Sequence, residues 1–171
     1  GLAYFNGEKF VPAELDGVVK FLCKDSSGAV WTACGNKVYT CKKNKVKKFQ
    51  ELDGEAIDFA QYGETAYLLT EEKLYKLTNG EWVFFRGIDG IGKKVAVFDD
   101  MLYVLAHNAL LALEGKRPHW KNILPGYTGM PACTVNDIVF DEMGYLWIAT
   151  DEGLLIYDNN SYWADSSVVD L

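Results

Sequence analysis

The sequence holds only two histidines, His107 and His119, and four cysteines, Cys23, Cys34, Cys41 and Cys133, in 171 residues. No two cysteines form a C-x-x-C pair and no histidine stands at ligand spacing from one, so the spacing offers no ready tetrahedron for zinc. There is no D-x-D-x-D-G calcium loop, no G-x-S-x-G, no H-E-x-x-H and no phosphate-cradling glycine loop. The stretch GIDGIGKK at 87–94 has the glycines but neither the G-K-[ST] ending nor a following helix, and reads as a connector. No metal or other cofactor is expected. Positive charge is also in short supply: 17 Lys and Arg face 24 Asp and Glu, for a formal net charge of −7. That argues against nucleic acid as a partner. The one basic run, KKNKVKK at 42–48, reads as a solvated hairpin on a sheet edge, where lysines oppose edge-to-edge pairing. No apolar run approaches the ~18 residues of a membrane span, so no membrane insertion is expected. A basic-then-apolar leader is missing from the start, which by itself leaves the compartment open.

What is present is apolar and aromatic. Hydrophobic residues make up 49% of the chain and aromatics 14%, mostly in short runs with β-branched or leucine neighbours. That composition supports one domain with a sizeable core and an all-β fold. The runs recur. Trp31, Tyr67 and Tyr103 are spaced by 36 residues, and Trp147 follows after 44. Leu2, Val38, Leu74, Leu110 and Leu154 keep the same steps, as do Phe5, Cys41, Leu77, Leu113 and Tyr157. Three columns with one period and one shared insertion of 8 residues identify a repeat.

Each unit has the same internal order. A first apolar segment (VVKFLC, AIDFA, VAVF, DIVF) is followed by a polar turn and a second run (AVWTAC, TAYLLT, MLYVLA, YLWIAT). A short turn leads to a third run (KVYTC, KLYKL, ALLAL, LLIYD), and a weaker polar strand ends in Phe49, Phe85, Trp120 or Trp163. Runs of this length between Gly, Asn and Asp turns predict antiparallel meanders. The second and third runs are apolar on both sides, so both faces must be covered. Sheets stacked around an axis achieve that, and the expected fold is a β-propeller.

The stretch DEMGYLWIATDEGLLIYDNN at 141–160 resembles the repeat of the two-component regulator propeller family, D-x-x-G-x-[LV]-W-[IV]-[GA]-T-x-x-G-[LI]-x-x-[YF]-[DN]. Asp141, Gly144, Leu146, Trp147, Ile148, Ala149, Thr150, Gly153, Leu154, Tyr157 and Asp158 fall on that pattern. DSSGAVWTAC at 25–34 matches its first half and GLAYFNGEKF at 1–10 its second half. The blades at 56–85 and 95–120 keep the spacing but replace Trp with Tyr. The resemblance implies a non-catalytic, ligand-sensing propeller in the periplasm or outside the cell. Four full blades are expected (18–49, 56–85, 95–120, 137–163), with a partial blade at 1–12 and the start of another at 166–171. The arrangement is expected to be a segment of a larger propeller, with a small five-bladed ring as the alternative.

On this reading Asp25 and Asp141 open turns, since Asp bonds its own backbone two residues on. Asp151 falls in the same class by its repeated position, and Trp31 and Trp147 pack blades. Cys34 and Cys41 flank the Gly35-Asn36-Lys37 turn, where a disulfide and two buried thiols are both open. Binding is expected where the turns between second and third strands meet the connectors between blades. That end would carry Asn36, Arg86, His107, Asn108, Asp151 and Glu152. It would also carry Tyr127 and Met130, in the loop that holds the insertion. Such a set suits a glycan, or a small-molecule or peptide ligand. Further blades or a partner protein are expected neighbours. The alternative is a protein-interaction scaffold. A propeller lyase, resembling the streptogramin lyases, would depend on His107 and is the weakest reading.

Overall fold

The structure is a computed structural model, and it describes residues 1–15, 17–42, 45–98, 101–107, 109–114, 120–122, 133–158 and 166–168. It is all-β. Two compact units make up the chain, Gly1–Ile88 and Asp89–Leu171. Among the described residues no helix is long and apolar enough to cross a membrane.

The first unit opens with a hairpin of β1 (Leu2–Phe5) and β2 (Phe10–Ala13). A four-stranded sheet follows, in the order β3 (Val19–Lys24), β4 (Val30–Cys34), β5 (Lys37–Lys42) and β6 (Lys45–Glu51). A second sheet repeats that order with β7 (Ala56–Tyr62), β8 (Thr65–Thr70), β9 (Lys73–Thr78) and β10 (Glu81–Gly87). The second unit holds the sheet of β11 (Gly92–Phe98), β12 (Met101–Ala106), β13 (Ala109–Glu114) and β14 (Lys121–Asn122). Its other sheet is β15 (Val135–Phe140), β16 (Tyr145–Thr150), β17 (Gly153–Asp158) and β18 (Ser166–Val168). Every sheet is an antiparallel meander in chain order, as blades of a β-propeller are.

Packing within each unit explains the patterning. In the first, β3 and β4 lie against β7. Trp31, Ala33 and Val38 from one sheet meet Phe59, Leu68, Tyr75 and Trp82 from the next. Trp31 stacks on Phe59 at 6.0 Å and takes the edges of Trp82 at 5.4 Å and Phe49 at 4.7 Å. Side-chain amides add a lock: Gln50 accepts from the backbone N–H of Trp82 (2.7 Å) and donates to its carbonyl (2.9 Å). In the second unit β15 lies against β11 and β12. There Tyr103, Leu105 and Leu110 meet Ile138, Leu146 and Ile148, and Phe140 stacks on Phe98 at 4.8 Å.

Two turns carry the repeat's signature. Asp25 accepts from Ala29 N–H (2.8 Å) and the Ser27 hydroxyl (2.8 Å) through Oδ1, while Oδ2 takes the Trp31 indole N–H (2.8 Å). Asp141 does the same with Met143 N–H (2.9 Å), Tyr145 N–H (2.9 Å) and the Trp147 indole (2.8 Å). Gly28 and Gly144 close these turns with φ of 80° and 90°, where a side chain would be strained. Both aspartates are therefore turn formers, as read from the sequence, and each also anchors the tryptophan six residues on.

Three expectations need correction or placement. Residues 166–171 were expected to open a further blade, yet Ser166–Val168 pair with Leu155–Tyr157 of β17 and complete the fourth sheet. Ser166–Val168 pair the backbone groups along the outer edge of β17; hydropathy alone could not tell an inner strand from this outer one. Residues 169–171 and Trp163, expected to end that blade, lie outside the described residues. Finally, all four cysteines are free thiols. Cys34 sits opposite Lys37 and Cys41 opposite Val30, so the hairpin register keeps them apart.

Candidate functional site

Every turn between a second and a third strand is bonded to a connector. In the first unit Ala56 N–H donates to Gly35 C=O (2.9 Å), Leu52 N–H to Asn36 C=O (2.9 Å) and Ile88 N–H to Glu72 C=O (2.9 Å). In the second, His107 N–H donates to Ile91 C=O (2.9 Å) and Asp151 N–H to Thr134 C=O (3.1 Å). In both units, then, these turns and the connectors share one end of the sheets, as antiparallel alternation requires.

The sequence-derived candidates divide on this end. The Asn36 side chain is taken up by the connector, donating to Leu52 C=O (3.2 Å) and to Glu51 (3.4 Å). Arg86 lies on β10 opposite Leu74, with its guanidinium 5.7 Å from the Phe85 ring centre. His107 is exposed on the turn after β12. Asp151 and Glu152 are exposed on the turn after β16, where Asp151 Oδ1 accepts from Thr134 N–H (2.7 Å). Asn108, Tyr127 and Met130 lie outside the described residues. His107 and the Asp151–Glu152 pair belong to the second unit, Asn36 and Arg86 to the first.

A further set of residues escaped sequence reasoning. The first strand of every complete sheet carries a β-bulge near the connector end: between Val19 and Leu22, Ala56 and Asp58, Gly92 and Lys94, and Val135 and Asp137. A charged residue sits in or directly after each one: Lys20, Asp58, Lys94 and Asp137. Bulges re-aim side chains and are favoured beside functional sites. In the first unit Lys20 Nζ is 3.1 Å from Glu55, at the start of the next blade. In the second Lys94 Nζ is 3.0 Å from Asp137. In each unit an ion pair thus links neighbouring blades, from Lys20 on β3 to Glu55 just before β7 and from Lys94 on β11 to Asp137 on β15. Lys20 and Asp137 are exposed and Asp58 and Lys94 partly buried, and Thr32 supports the first bulge by donating its hydroxyl to Phe21 C=O (2.8 Å). A partial signal is present: VVKFLC and AIDFA each interrupt an apolar run with one charge, whereas KKVAVF and NDIVF carry theirs ahead of the run.

Asp53 adds to the first unit's end. Its carboxylate pairs with Lys73, and its carbonyl accepts the Tyr75 hydroxyl (3.0 Å). The Lys73 ammonium is held above its ordinary range by the bond to Asp53, while burial lifts the Tyr75 phenol. Among the described residues no three His, Cys, Asp or Glu side chains converge as a metal would need.

No protein-family model and no curated protein matches the chain. Solved structures do. The extracellular domain of a B. thetaiotaomicron protein assigned to a one-component system aligns with a TM-score of 0.75 and 14% identity, over 91% of this chain and 22% of that one. The extracellular domain of a B. thetaiotaomicron hybrid two-component system gives 0.73 and 15%, over 92% and 25%. YCF48 from Cyanidioschyzon merolae gives 0.68 and 13%, over 92% and 57%; YCF48 has also been solved bound to a D1 peptide. The chain spans about a quarter of the length of the two sensor domains it matches. What is shared at these identities is the fold, a β-propeller, as the repeat in the sequence implies.

Proposed function

We propose that the chain is a non-catalytic, ligand-binding propeller module of sensor type, acting in the periplasm or outside the cell. It recognises a polar ligand, a glycan first among them, at the connector end of its blades. The observation that carries this reading is the bulge repeated in all four first strands, each with a charged side chain beside it. A bulge weakens its own ladder, so its recurrence in the first strand of every complete sheet suggests a use beyond packing. In the second unit the Lys94 ammonium and the Asp137 carboxylate, with the exposed His107, Asp151 and Glu152, offer donors and acceptors suited to hydroxyl-rich ligands. Asn108, Tyr127 and Met130, chosen from the sequence, stay in the proposed set although they lie outside the described residues. The test is a thermal-shift screen of the full chain against a soluble glycan panel. A hit should raise the melting temperature, and Lys94→Ala and Asp137→Ala should weaken it at least tenfold with the fold intact. No shift with any glycan, or hits indifferent to both substitutions, would sink the reading.

A second reading, a peptide- or protein-docking scaffold, is favoured by the peptide complex of the structurally similar YCF48. Pull-down by an unstructured peptide library with no glycan response would decide for it.

A further inference from the structure

Charge is spread unevenly along the chain. Between Asp25 and Glu51 the sequence has six lysines and no acidic residue. Of these, Lys42, Lys45, Lys47 and Lys48 are exposed on the hairpin of β5 and β6, and Lys43 lies outside the described residues. Lys48 is paired with Glu51 at 2.6 Å. Among the described residues no carboxylate pairs with Lys42, Lys45 or Lys47. Lys42 is directly opposite Lys45, and Lys47 is opposite Thr40. Residues opposite one another, or two apart on one strand, share a face. The three lysines therefore line one face of the hairpin, at the end of the sheet away from the connectors.

Like charges directly opposite each other destabilise an antiparallel pair. The matching pair of the second sheet, Thr78↔Glu81, carries no such repulsion. Guarding an outer strand against pairing does not require so many lysines either. The outer strand β10 has only Glu81 and Arg86 as charges and leaves Val83 and Phe84 half-exposed. The lysine face thus weakens its own hairpin and adds nothing to the packing, which calls for an anionic partner.

We propose that this face docks an extended acidic segment of a partner protein, whose carboxylates, carried on alternate residues, meet Lys42, Lys45 and Lys47. Lys45 and Lys47 stand about 6.7 Å apart along β6, the step between alternate residues of any extended chain. A partner with that spacing meets both at once and relieves the repulsion between Lys42 and Lys45. A slender segment also suits the charge of the rest of the chain. All 24 Asp and Glu lie outside the lysine stretch, so a duplex nucleic acid or an anionic membrane would meet a repelling surface around it. The site is at the opposite end of its sheet from the proposed ligand-binding end and does not rest on that reading.

The test uses the full chain and fluorescence anisotropy with two labelled peptides of one composition, GTETETETG and GTTEEETTG. The first should bind, and the second at least threefold more weakly. Replacing both Lys45 and Lys47 by Ala should weaken binding of the first at least tenfold. Lys48→Ala, which removes an ammonium already paired with Glu51, should change it less than twofold. Lys45→Glu turns the opposed pair attractive. It should weaken binding at least tenfold yet raise the melting temperature of the free chain by about 1–4 °C, opposite signs that a purely structural role would not give. The proposal is overturned if neither peptide binds, if both bind alike, or if Lys48→Ala is as damaging as the double variant. Binding of polygalacturonate, heparin or phosphatidylglycerol vesicles through these lysines, without binding of the peptide, would overturn it in favour of a glycan or a membrane.

Discussion

Trp31 and Trp147 are the same residue of the same repeat, held by the same aspartate six positions earlier at the same 2.8 Å. Their surroundings differ. Trp31 is 5% exposed, enclosed by Phe49, Phe59 and Trp82. Trp147 is half-buried on a sheet face shared with Val139, which is 60% exposed, and with Ala149 and Leu154. Local sequence aims the indole in both places, since a carboxylate acceptor lies within the turn. Burial is decided by what stacks on the face, and in the first unit that is the sheet of β7–β10. A motif match therefore reports orientation, and says nothing of how much packing energy the tryptophan contributes.

The sharpest way to break this comparison is to truncate both rings. Trp31→Ala should cost about 3–5 kcal/mol in denaturant unfolding, and Trp147→Ala less than half of that; equal losses would refute the contrast. Removing the lock on the covering sheet comes next. Gln50→Ala leaves the Trp82 N–H and C=O without their partner and should cost about 1–3 kcal/mol, read by the same unfolding curves. A variant as stable as the parent would show that the amide pair is incidental.

A smaller effect tests the aspartates. Partial burial pushes the Asp25 carboxyl up, but the bonds from the Trp31 indole, Ser27 and Ala29 outweigh it and hold it below its ordinary range. The Trp147 indole, with the backbone of Tyr145, Met143 and Gly144, lowers Asp141 as well. A carboxyl lowered in the folded state contributes stability that is full above its unfolded pKa of about 3.9. That contribution is lost as the pH falls through the lowered folded value. Asp25→Asn and Asp141→Asn should each flatten the acid limb of a melting-temperature profile below about pH 4 and leave it parallel above. An unchanged acid limb would count against the clamp. The least effect is expected from the exposed ion pairs. Lys20→Ala or Lys94→Ala should change stability by less than about 1 kcal/mol, and a larger loss would assign these pairs to the scaffold instead of the binding end.

The blades were legible because their signal is periodic. Leu2, Val38, Leu74, Leu110 and Leu154 report one apolar position repeatedly, fully buried at Val38, Leu74 and Leu110, and five copies outvote local noise. The Asp25 and Asp141 turns were legible through local chemistry. The fourth strands were less so. An outer strand needs little hydrophobicity, so nothing in SSVVDL distinguished the edge of one blade from the core of another. The bulges were hard to read for a different reason: an extra residue changes the backbone and leaves composition almost untouched, with only the charges in VVKFLC and AIDFA to hint at them. Lys20 and Asp58 stand inside apolar strands, and Lys94 and Asp137 at the head of theirs, where a charge draws no attention. The candidate end of the sheets could be argued from strand alternation, but that Asn36 is taken up by its connector depends on coordinates.

Those bulges also alter the arithmetic of the strands. In an unbroken strand, residues three apart face opposite sides. Yet Ala56 and Phe59 share one core, as do Val135 and Ile138, and Gly92 and Val95 are both buried. The extra residue reverses the phase, so the strand begins and ends in the core and surfaces between, where the charge stands. Parity is what keeps a lysine or aspartate out of the packed interior. Deleting a single residue there would exchange core and surface along the whole strand, which no substitution at those positions could do.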